Sequence, residues 1–563
     1  GEMWSVWLSQ CRRGLATGRR LPADGKSLLD FVGQRAVQGA TVPVGGEESH
    51  YLDALWRREG EMQEAAVGRR KSVYMETYGC QMNISDSEIV LSVMQQAGYD
   101  RTEDYNKADV IFLNTCAIRE NAETKIWNRL EYFKHLRKRL PHPVTVGLLG
   151  CMAERLKTKL LEGDRLLEVV AGPDAYRDLP RLVHVAEAGD TAVNVLLSAD
   201  ETYADVAPVR FGKNPRSAFV TIMRGCNNMC TYCIVPFTRG RERSRSIDSI
   251  VEEIRQLSKE GVREVTLLGQ NVNSYVDRSK EEEVSSAGQT ESAPILSKGF
   301  GTIYKVKAGG LRFVDLMDQV SLVDPEMRIR FTSPHPKDFP DELLHLIASR
   351  PNICKGIHMP AQSGSTTVLS RMRRNYTREA YLDLAARMKE IIPGVAIKSD
   401  FISGFCGETE EEHQDTLSLL REVEFDQAFM FAYSLREKTL AHRRLKDDVP
   451  PEVKQRRLRE VIETFYSLSE AKNRRQEIGR THLVLVEGKS KKSDLEWFGR
   501  SDTDKPVVFP IQGVPDDLQP GDYVAVHIEN ANAATLRGRA VAKTSLQEFA
   551  QRSHGRMFLE HNE

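Results

Sequence analysis

Three cysteines lie within eight residues of one another, at Cys226, Cys230 and Cys233. This set, which we call the first triad, has the CxxxCxxC spacing that suits a [4Fe–4S] cluster, since three thiolates bind three irons and leave the fourth open. An open iron can bind the amine and carboxylate of S-adenosylmethionine and pass one electron to its sulfonium. The alternative is a zinc site, but zinc sites usually pair two C-x₂-C units or add histidines at short spacing, and neither is nearby.

Three more cysteines are far apart in sequence but similarly placed. Cys80, Cys116 and Cys151, the second triad, each follow a short apolar run that predicts a strand, and helical patterns separate these runs. Ligands of an open parallel sheet bind beyond the carboxyl ends of its strands, so the three thiols are expected to converge at one edge. The alternative is three separate buried cysteines, which are common in proteins. We expect a second three-cysteine [4Fe–4S] cluster here.

The residues around both triads resemble those of the methylthiotransferases, which belong to the radical S-adenosylmethionine enzymes. The run Thr77–Asn83, TYGCQMN, resembles the opening motif of the MiaB class, which acts on isopentenyladenosine in tRNA. Sister classes, which act on threonylcarbamoyladenosine or on a ribosomal protein, usually read LGCKVN or LGCPKN there. The resemblance covers roughly residues 71–545, and further matching runs are Leu149–Ala153, Val235–Glu242 and Leu268–Asn273. The runs 328–336 and 404–409 are similar to those of the vertebrate mitochondrial members, known also as partners of a cyclin-dependent-kinase regulatory subunit.

The resemblance implies a radical reaction at an aromatic carbon. The carbon between the two ring nitrogens of adenine carries a C–H bond that no ordinary base deprotonates, whereas a 5′-deoxyadenosyl radical can remove its hydrogen atom. The first triad's cluster would generate that radical, and the second triad's cluster would deliver sulfur. A second S-adenosylmethionine would supply the methyl group. The implied cofactors are two [4Fe–4S] clusters and S-adenosylmethionine, and the implied partners are a tRNA anticodon stem-loop carrying N6-isopentenyladenosine and an electron donor.

The resemblance also implies cofactor contacts beyond the cysteines, at the ends of predicted strands. Gln270 and Asn271 are candidates for the methionine end of S-adenosylmethionine, and Gln362 and Ser363 for its ribose. Glycine permits close approach of the backbone, which suits contact with the adenine. A turn role is the alternative for each of these positions. The full candidate set is Tyr232, Gln270, Asn271, Gln362, Ser363, Gly404 and Gly407.

Strand and helix patterns indicate an α/β chain of several domains. Residues 71–205 predict an α/β domain with a parallel sheet, and residues 215–446 predict six βα units, the partial (βα)6 barrel known for the radical family. The first triad follows the first barrel strand, at the end where barrel active sites lie. The remaining predictions are a disordered insertion near 276–308, a connecting helix at 449–477, a small all-β TRAM barrel at 478–545, assigned by resemblance, and a frayed tail at 546–563.

Composition sets further limits. The chain has 563 residues, 28% charged, with a net charge of −1, so any RNA contact must come from local patches. No apolar run approaches a membrane-spanning helix, and no membrane partner is expected. The first 23 residues are rich in arginine and free of acidic residues after Glu2, which predicts a mitochondrial presequence, and residues 24–70 a disordered linker. Of the leftover cysteines, Cys406 is expected to be a packing residue, and Cys11 and Cys354 are expected to be ordinary thiols.

Two arginine groups are candidates for tRNA contact. The first is the run 239–245, which holds four arginines directly after the first triad, and guanidinium groups bind phosphate well. The second, weaker group is Arg371, Arg373 and Arg374. Two other functions stay open: methylthiolation of threonylcarbamoyladenosine or of a ribosomal protein, and non-catalytic binding of a kinase subunit. The opening motif argues against the first, and the presence of all six cysteines argues against the second.

Overall fold

The computed structural model describes residues 70–116, 120–157, 167–212, 214–279, 296–302, 309–512 and 517–554. The predicted presequence and the linker up to residue 69 lie outside the described residues. Among the helices that are described, none combines the length and the apolar character needed to cross a bilayer.

The amino-terminal domain is a six-stranded parallel sheet in the order β2-β1-β3-β4-β5-β6. Its two central strands are buried along their whole length, which explains why they read as continuous apolar runs. The strands are β1 (Ser72–Thr77), β2 (Asp100–Arg101), β3 (Val110–Thr115), β4 (Thr145–Gly150), β5 (Val169–Ala171) and β6 (Ala192–Asn194). The helices are α1 (Gln81–Gln96), α2 (Glu120–Arg137), α3 (Cys151–Leu156) and α4 (Leu179–Glu187), with a 3₁₀ turn at Tyr176–Asp178.

The central domain contains all six predicted barrel strands. They form two three-stranded parallel sheets, in the orders β13-β10-β7 and β14-β15-β16, joined by a single bridge between Ile329 and Ile353. These strands are β7 (Ser217–Thr221), β10 (Glu264–Leu268), β13 (Arg328–Phe331), β14 (Gly356–His358), β15 (Ala396–Ser403) and β16 (Gln427–Ala432). The sheet is therefore an open barrel whose hydrogen bonding is interrupted between β13 and β14. The predicted α/β class with a partial barrel is confirmed.

Helices and short strands cover this barrel. Two antiparallel pairs lie in its loops: β8 (Met223–Arg224) with β9 (Arg243–Ser244), and β11 (Val276–Asp277) with β12 (Leu311–Arg312). The helices are α5 (Val235–Thr238), α6 (Ile247–Lys259), α7 (Phe313–Ser321), α8 (Asp341–Ser349), α9 (Thr366–Arg371), α10 (Arg378–Ile391), α11 (Glu410–Val423), α12 (Leu440–Arg444) and α13 (Pro451–Gln476). Short 3₁₀ turns lie at Val272–Ser274 and Pro336–Asp338.

The predicted insertion at 276–308 needs a correction at both edges. Its first residues are β11, which pairs with β12, so the chain is ordered there. Near its other edge, Ser297 is buried and donates a hydrogen bond to the carbonyl oxygen of Pro336 at 2.9 Å. Because the middle of the segment is polar, the sequence alone did not indicate these two ordered contacts at its edges. Residues 280–295 and 303–308 lie outside the described part.

The carboxyl-terminal domain is a closed five-stranded barrel in the order β17-β18-β19-β21-β20. Its strands are β17 (Thr481–Ser490), β18 (Ser493–Ser501), β19 (Pro506–Pro510), β20 (Tyr523–Ala531) and β21 (Leu536–Thr544). The predicted frayed tail is wrong over its first part, since Leu546–His554 is helix α14. Leu546 is buried, and its N–H donates to a carboxylate oxygen of Glu326 at 2.7 Å, which fixes the start of that helix.

The small barrel packs on the amino ends of the large barrel's strands. Arg328, the first residue of β13, donates to the carbonyl oxygens of Arg500 and Leu483 at 2.7 and 2.6 Å. On β15, the Nζ of Lys398 pairs with Asp504 at 2.5 Å. Because the loop of the first triad follows the carboxyl end of β7, the small barrel and the first triad lie at opposite ends of the large barrel.

Candidate active site

The first triad lies in the loop between β8 and β9. Cys226 lies two residues after the end of β8, and its N–H donates to the carbonyl oxygen of Gly240 at 3.2 Å, which closes the loop. A tight turn brings the N–H of Cys233 to the carbonyl oxygen of Cys230 at 3.0 Å. Cys226 and Cys230 are buried and Cys233 is half-buried. The loop therefore gathers three thiols into one small, largely dry volume.

The environment of two of these thiols, Cys226 and Cys233, opposes the thiolate form. Burial, followed by the nearby Glu242 and the other two cysteines, raises the pKa of Cys226 well above its ordinary value. Burial also raises the pKa of Cys233 to about 12. Three clustered thiolates need a cationic partner to offset their mutual repulsion and their desolvation. The donor set therefore fits a cationic metal cluster and does not fit three independent reactive thiols.

The second triad lies at the carboxyl ends of three adjacent strands, β1, β3 and β4. Cys80 precedes α1, Cys116 follows β3, and Cys151 is the first residue of α3. A hydrogen bond with Cys116 lowers the pKa of Cys80 to about 6, against the opposing effect of burial. Cys151 is fully buried, and burial raises the pKa of its thiol. The structure thus brings the three thiols together at one edge of the sheet.

A buried ion-pair network joins the second triad to the barrel domain. Asp86 on α1 is fully buried and accepts a hydrogen bond from Arg224 at 2.7 Å and another from Arg239 at 2.6 Å. Arg239 also donates from its Nε to the Sγ of Cys151 at 3.2 Å. Burial alone would raise the pKa of Asp86, but the two guanidinium groups outweigh it, so the pKa is lowered. One carboxylate therefore connects residues on both sides of the first triad with a thiol of the second.

The two triads also share an apolar wall. Cys151 packs with Ile234, and Phe237 packs against both. Ile234 directly follows the first triad in sequence, and helix α5, which contains Phe237, packs against α3, which begins at Cys151. Groups bound at the two triads would therefore be neighbours.

The predicted tRNA contacts of the run 239–245 are wrong for three of its four arginines. Arg239 pairs with Asp86, Arg243 pairs with Asp174 at 3.0 Å, and Arg245 pairs with Glu253 at 2.6 Å, and all three are buried. Arg241 alone of the four is exposed. The carboxylate partners of Arg239 and Arg243 are distant in sequence, so the charge run looked unpaired.

The second arginine group is also largely internal. Arg374 is buried and donates to the Sγ of Cys230 at 3.6 Å and to the carbonyl oxygen of Pro360 at 2.9 Å. Arg371 pairs with Glu412 on α11 at 2.6 Å. Arg373 is half-buried in the turn between them. Arg374 thus supplies a positive charge to the first triad, a role that sequence reasoning missed because nothing local connects it with Cys230.

The predicted methionine-end residues lie beside the first triad. Gln270 accepts a hydrogen bond from the N–H of Gly225 at 2.6 Å, and Asn271 donates to Glu242 at 3.1 Å. The Nε2 of Gln270 and the Oδ1 of Asn271 are buried and have no hydrogen-bond partner among the described residues. Glu242 ends a motif noted in the sequence but was given no role there. Two buried amide atoms without partners fit a polar ligand that binds at this point.

The other predicted contacts have structural partners of their own. The hydroxyl of Ser363 lies 3.3 Å from that of Thr416 on α11, and Gln362 adopts a left-handed backbone with φ of 71°. Gly404, with φ of 75°, is covered by Lys454, and the N–H of Gly407 donates to Asp448 at 2.7 Å. These contacts explain the turns at strand ends without a ligand.

Tyr232 is half-buried beneath the first triad and packs in the apolar group that includes Phe405 and Tyr433. Beside the first triad lies a cavity of about 1310 Å³. Its lining includes Cys226, Phe237, Arg241 and Glu242. The cavity is therefore large enough for a nucleoside and opens next to the shared wall of the two triads.

Two glycines in this loop offer a matched test of its geometry. Gly225 has φ of 79°, and a side chain there would overlap the carbonyl oxygen of Arg241, whereas Gly240 has φ of 72° but only Leu197 nearby, at 3.8 Å. If the first triad cleaves S-adenosylmethionine, as the resemblance in the sequence implies, Gly225→Ala should displace Cys226 and lower that cleavage about 100-fold, since small misplacements have effects of that size. Gly240→Ala bears only the backbone strain, about 1–2 kcal/mol, and is expected to keep most of that activity. Equal losses in both variants would show that strain alone matters.

Comparison with known proteins identifies the family. Residues 72–172 match a family described as uncharacterized protein family UPF0004, residues 220–420 match the Radical SAM superfamily, and residues 475–541 match the TRAM domain. The protein named mitochondrial tRNA methylthiotransferase CDK5RAP1 in Homo sapiens is 56% identical over 86% of this chain and 84% of its own length.

Relatives from outside the vertebrates support the same family. The tRNA-2-methylthio-N(6)-dimethylallyladenosine synthase of Chloroherpeton thalassium is 52% identical over 85% of this chain and 98% of its own length. A CDK5RAP1-like protein of Caenorhabditis elegans is 47% identical over 94% of both chains. The resemblance drawn from the opening motif and the triads is thereby confirmed. With such identity over most of its length, the chain belongs to the methylthiotransferase family of radical S-adenosylmethionine enzymes.

Proposed function

We propose that this protein is a tRNA methylthiotransferase that converts N6-isopentenyladenosine next to the anticodon into its 2-methylthio form. The observation that supports this most is the pair of cysteine triads that share a wall beside one cavity. Insertion of a methylthio group needs both removal of a hydrogen atom and delivery of sulfur at the same carbon. Two neighbouring metal sites that face one surface can serve both needs. The relatives at 52% and 56% identity are named for this class of reaction.

We assign one [4Fe–4S] cluster to the first triad and another to the second. When bound, these clusters and S-adenosylmethionine supply the one-electron chemistry and the sulfur that the protein's side chains cannot supply. The chain's own residues orient these bound groups and shield them. Arg374 places a buried positive charge at Cys230, and Arg239 places one at Cys151, so both thiolate sets have a guanidinium beside them. At Cys151, the charge of Arg239 opposes the rise in pKa that burial causes, which favours the thiolate form that binds iron.

Gln270 and Asn271 are assigned to the methionine end of S-adenosylmethionine. Their partnerless amide atoms can donate to a carboxylate and accept from an amine, the two groups at that end. Glu242 holds Asn271 in place and also accepts from the N–H of Asn227 at 3.1 Å. On the family resemblance alone, Gln362 and Ser363 are proposed for the ribose, Gly404 and Gly407 for the adenine, and Tyr232 for the rest of the cofactor surface.

The cellular setting follows from the relatives. Vertebrate relatives are named as mitochondrial enzymes, which supports a mitochondrial location for this chain, and we propose the matrix, where tRNA is modified. The expected partners are tRNA and an electron donor. Binding of a cyclin-dependent-kinase regulatory subunit is a proposed additional role, suggested by the names of those relatives.

Substrate choice tests the proposal. One anticodon stem-loop is prepared with isopentenyladenosine, with threonylcarbamoyladenosine or with adenosine, and 2-methylthio product is measured by nucleoside mass spectrometry. We expect strong preference for the isopentenyl form, because each buried methylene contributes about 0.8 kcal/mol and the group has five carbons. A threonylcarbamoyl group would bring a carboxylate into the same pocket, at a desolvation cost.

The outcomes separate the alternatives. Equal or faster turnover of the threonylcarbamoyl form would move the protein to the sister class. If none of the three stem-loops yields product while S-adenosylmethionine is still cleaved, then RNA is the wrong substrate. The control is the same stem-loop with a product base already in place, which must yield no further product.

A further inference from the structure

A strongly basic segment lies over the seam between the two triads. Residues 436–446, which we call the seam segment, contain five lysines and arginines and one glutamate. Helix α12 forms its centre. Neither the motifs of the sequence nor the family matches point to this segment, which lies after the matched range 220–420 and before 475–541.

Contacts to both triads fix the seam segment in place. The N–H of Ala441, which is fully buried, donates to the carbonyl oxygen of Thr231 within the first triad at 2.8 Å. Lys438 donates from its Nζ to the carbonyl oxygen of Arg155, on the helix that begins with Cys151. The segment thus bridges the loops of the two triads and is attached to each by a hydrogen bond.

The outer face of the segment carries positive charges that have no carboxylate partner among the described residues. Arg443, Arg444 and Lys446 are exposed, and within the described ranges none of them forms an ion pair. Arg443 stacks over the ring of Phe237, with its guanidinium carbon 5.4 Å from the ring centre. Phe237 lines the cavity beside Cys226 and contacts Cys151. The free charges therefore border the place where a target base must enter.

Because the small barrel packs at the far end of the large barrel, phosphate contacts near the triads must come from other residues. The small barrel packs on the amino ends of the strands, through residues such as Arg328 and Lys398, while the triads lie toward the carboxyl ends. Of the four arginines directly after the first triad, three are used in internal ion pairs and only Arg241 is exposed. A base held at the seam still needs its flanking phosphates neutralised nearby. Phosphate contacts fix the register of a nucleic acid on a protein.

We propose that the exposed face of the seam segment, chiefly Arg443 and Arg444, binds the phosphates that flank the target nucleotide of the anticodon loop. This inference rests on the proposed function, since it takes the ligand to be tRNA. Guanidinium groups suit this task because they bind phosphate oxygens in a bidentate fashion. The stack of Arg443 on Phe237 holds its guanidinium at the rim of the cavity.

The test uses the reconstituted full-length protein and an isopentenyladenosine anticodon stem-loop. The double variant Arg443→Ala/Arg444→Ala is compared with the wild type by fluorescence anisotropy over a series of salt concentrations. We expect its Kd to rise on the order of tenfold and the slope of log Kd against log salt to fall by about 1.5, the loss of two phosphate contacts. The RNA-free cleavage of S-adenosylmethionine should stay within about twofold of wild type, since the proposed contacts are to RNA alone.

A matched control removes the same charge elsewhere. Arg474 and Arg475 are adjacent, exposed and located in the last turn of α13, away from the triads. Arg474→Ala/Arg475→Ala should leave Kd and its salt slope close to wild type.

If the wild type forms product but the Arg443→Ala/Arg444→Ala variant has an unchanged Kd, the seam assignment is overturned. An equal change of Kd in the control variant would overturn it as well. A wild type that binds no stem-loop would overturn the seam assignment and the proposed function together.

Discussion

Replacing Cys226, Cys230 and Cys233 together by alanine is expected to abolish both cleavage of S-adenosylmethionine and formation of methylthio product. The anaerobically reconstituted wild type should hold about eight irons, because two three-cysteine sites each complete a cube, and the variant should hold about four. The physical reason is that these thiols form one enclosed donor set that no other described cysteine can replace. Iron content and 5′-deoxyadenosine formation are the two measurements.

The control for this prediction is another buried thiol. Cys354 is buried near Arg330, at the contact with the small barrel, and lies in neither triad. Cys354→Ala should keep all of the iron and the cleavage activity. If the triple variant retains the wild-type iron content, the assignment of the first triad is wrong.

Removal of the Asp86 carboxylate is expected to have the largest effect on stability. Asp86→Ala leaves Arg224 and Arg239 buried without their shared partner, and breaking a buried ion pair from one side costs about 3–5 kcal/mol. Because Arg239 also contacts Cys151, iron at the second triad should be lost more readily than iron at the first. Chemical denaturation and iron content of the reconstituted variant are the measurements.

An exposed pair provides the matched control for Asp86. Asp205 pairs with Arg177 at the surface, where 76% of the Asp205 side chain is exposed. Asp205→Ala should change the free energy of unfolding by about 0–1 kcal/mol, as exposed pairs usually do. Equal effects of the two substitutions would mean that the Asp86 network contributes nothing beyond a surface pair.

The pKa of Asp86 gives this network a pH dependence with a definite sign. The folded-state pKa is lowered below the ordinary 3.8, so the stabilisation is fully present above that value. It is lost only as the pH falls through the folded pKa. The contribution of Asp86 should therefore be constant across the neutral range.

Local patterns were sufficient to predict the framework that positions the triads. The buried strands β3 and β4 read as apolar runs, and Cys116 and Cys151 follow them directly, so convergence of the second triad was predictable from strand order alone. The six barrel strands were likewise visible, because each is a short strand pattern between helical patterns, although β13 alternates arginine with apolar residues. Backbone spacing and periodicity determine these features, and both are present in the sequence.

The charge pairing could not be predicted in the same way. Arg239 and Asp86 form a contact although they are 153 residues apart in sequence, and Arg374 and Cys230 do so at a separation of 144 residues. A run of arginines looks solvated until the fold brings carboxylates to it, so three residues expected to touch RNA turned out to be internal. The seam segment was missed for the converse reason. A basic run alone does not show what it faces, and only the anchors to Thr231 and Arg155 give the segment a position.

We propose that the two triads hold separate clusters with separate tasks. The most direct test is the variant in which Cys80, Cys116 and Cys151 are all replaced by alanine, assayed with the isopentenyladenosine stem-loop for 5′-deoxyadenosine and for methylthio product. We predict that it forms 5′-deoxyadenosine but no methylthio product, and holds about half of the wild-type iron. Methylthio product at the wild-type level, or loss of 5′-deoxyadenosine equal to that of the first-triad variant, would contradict the division of tasks.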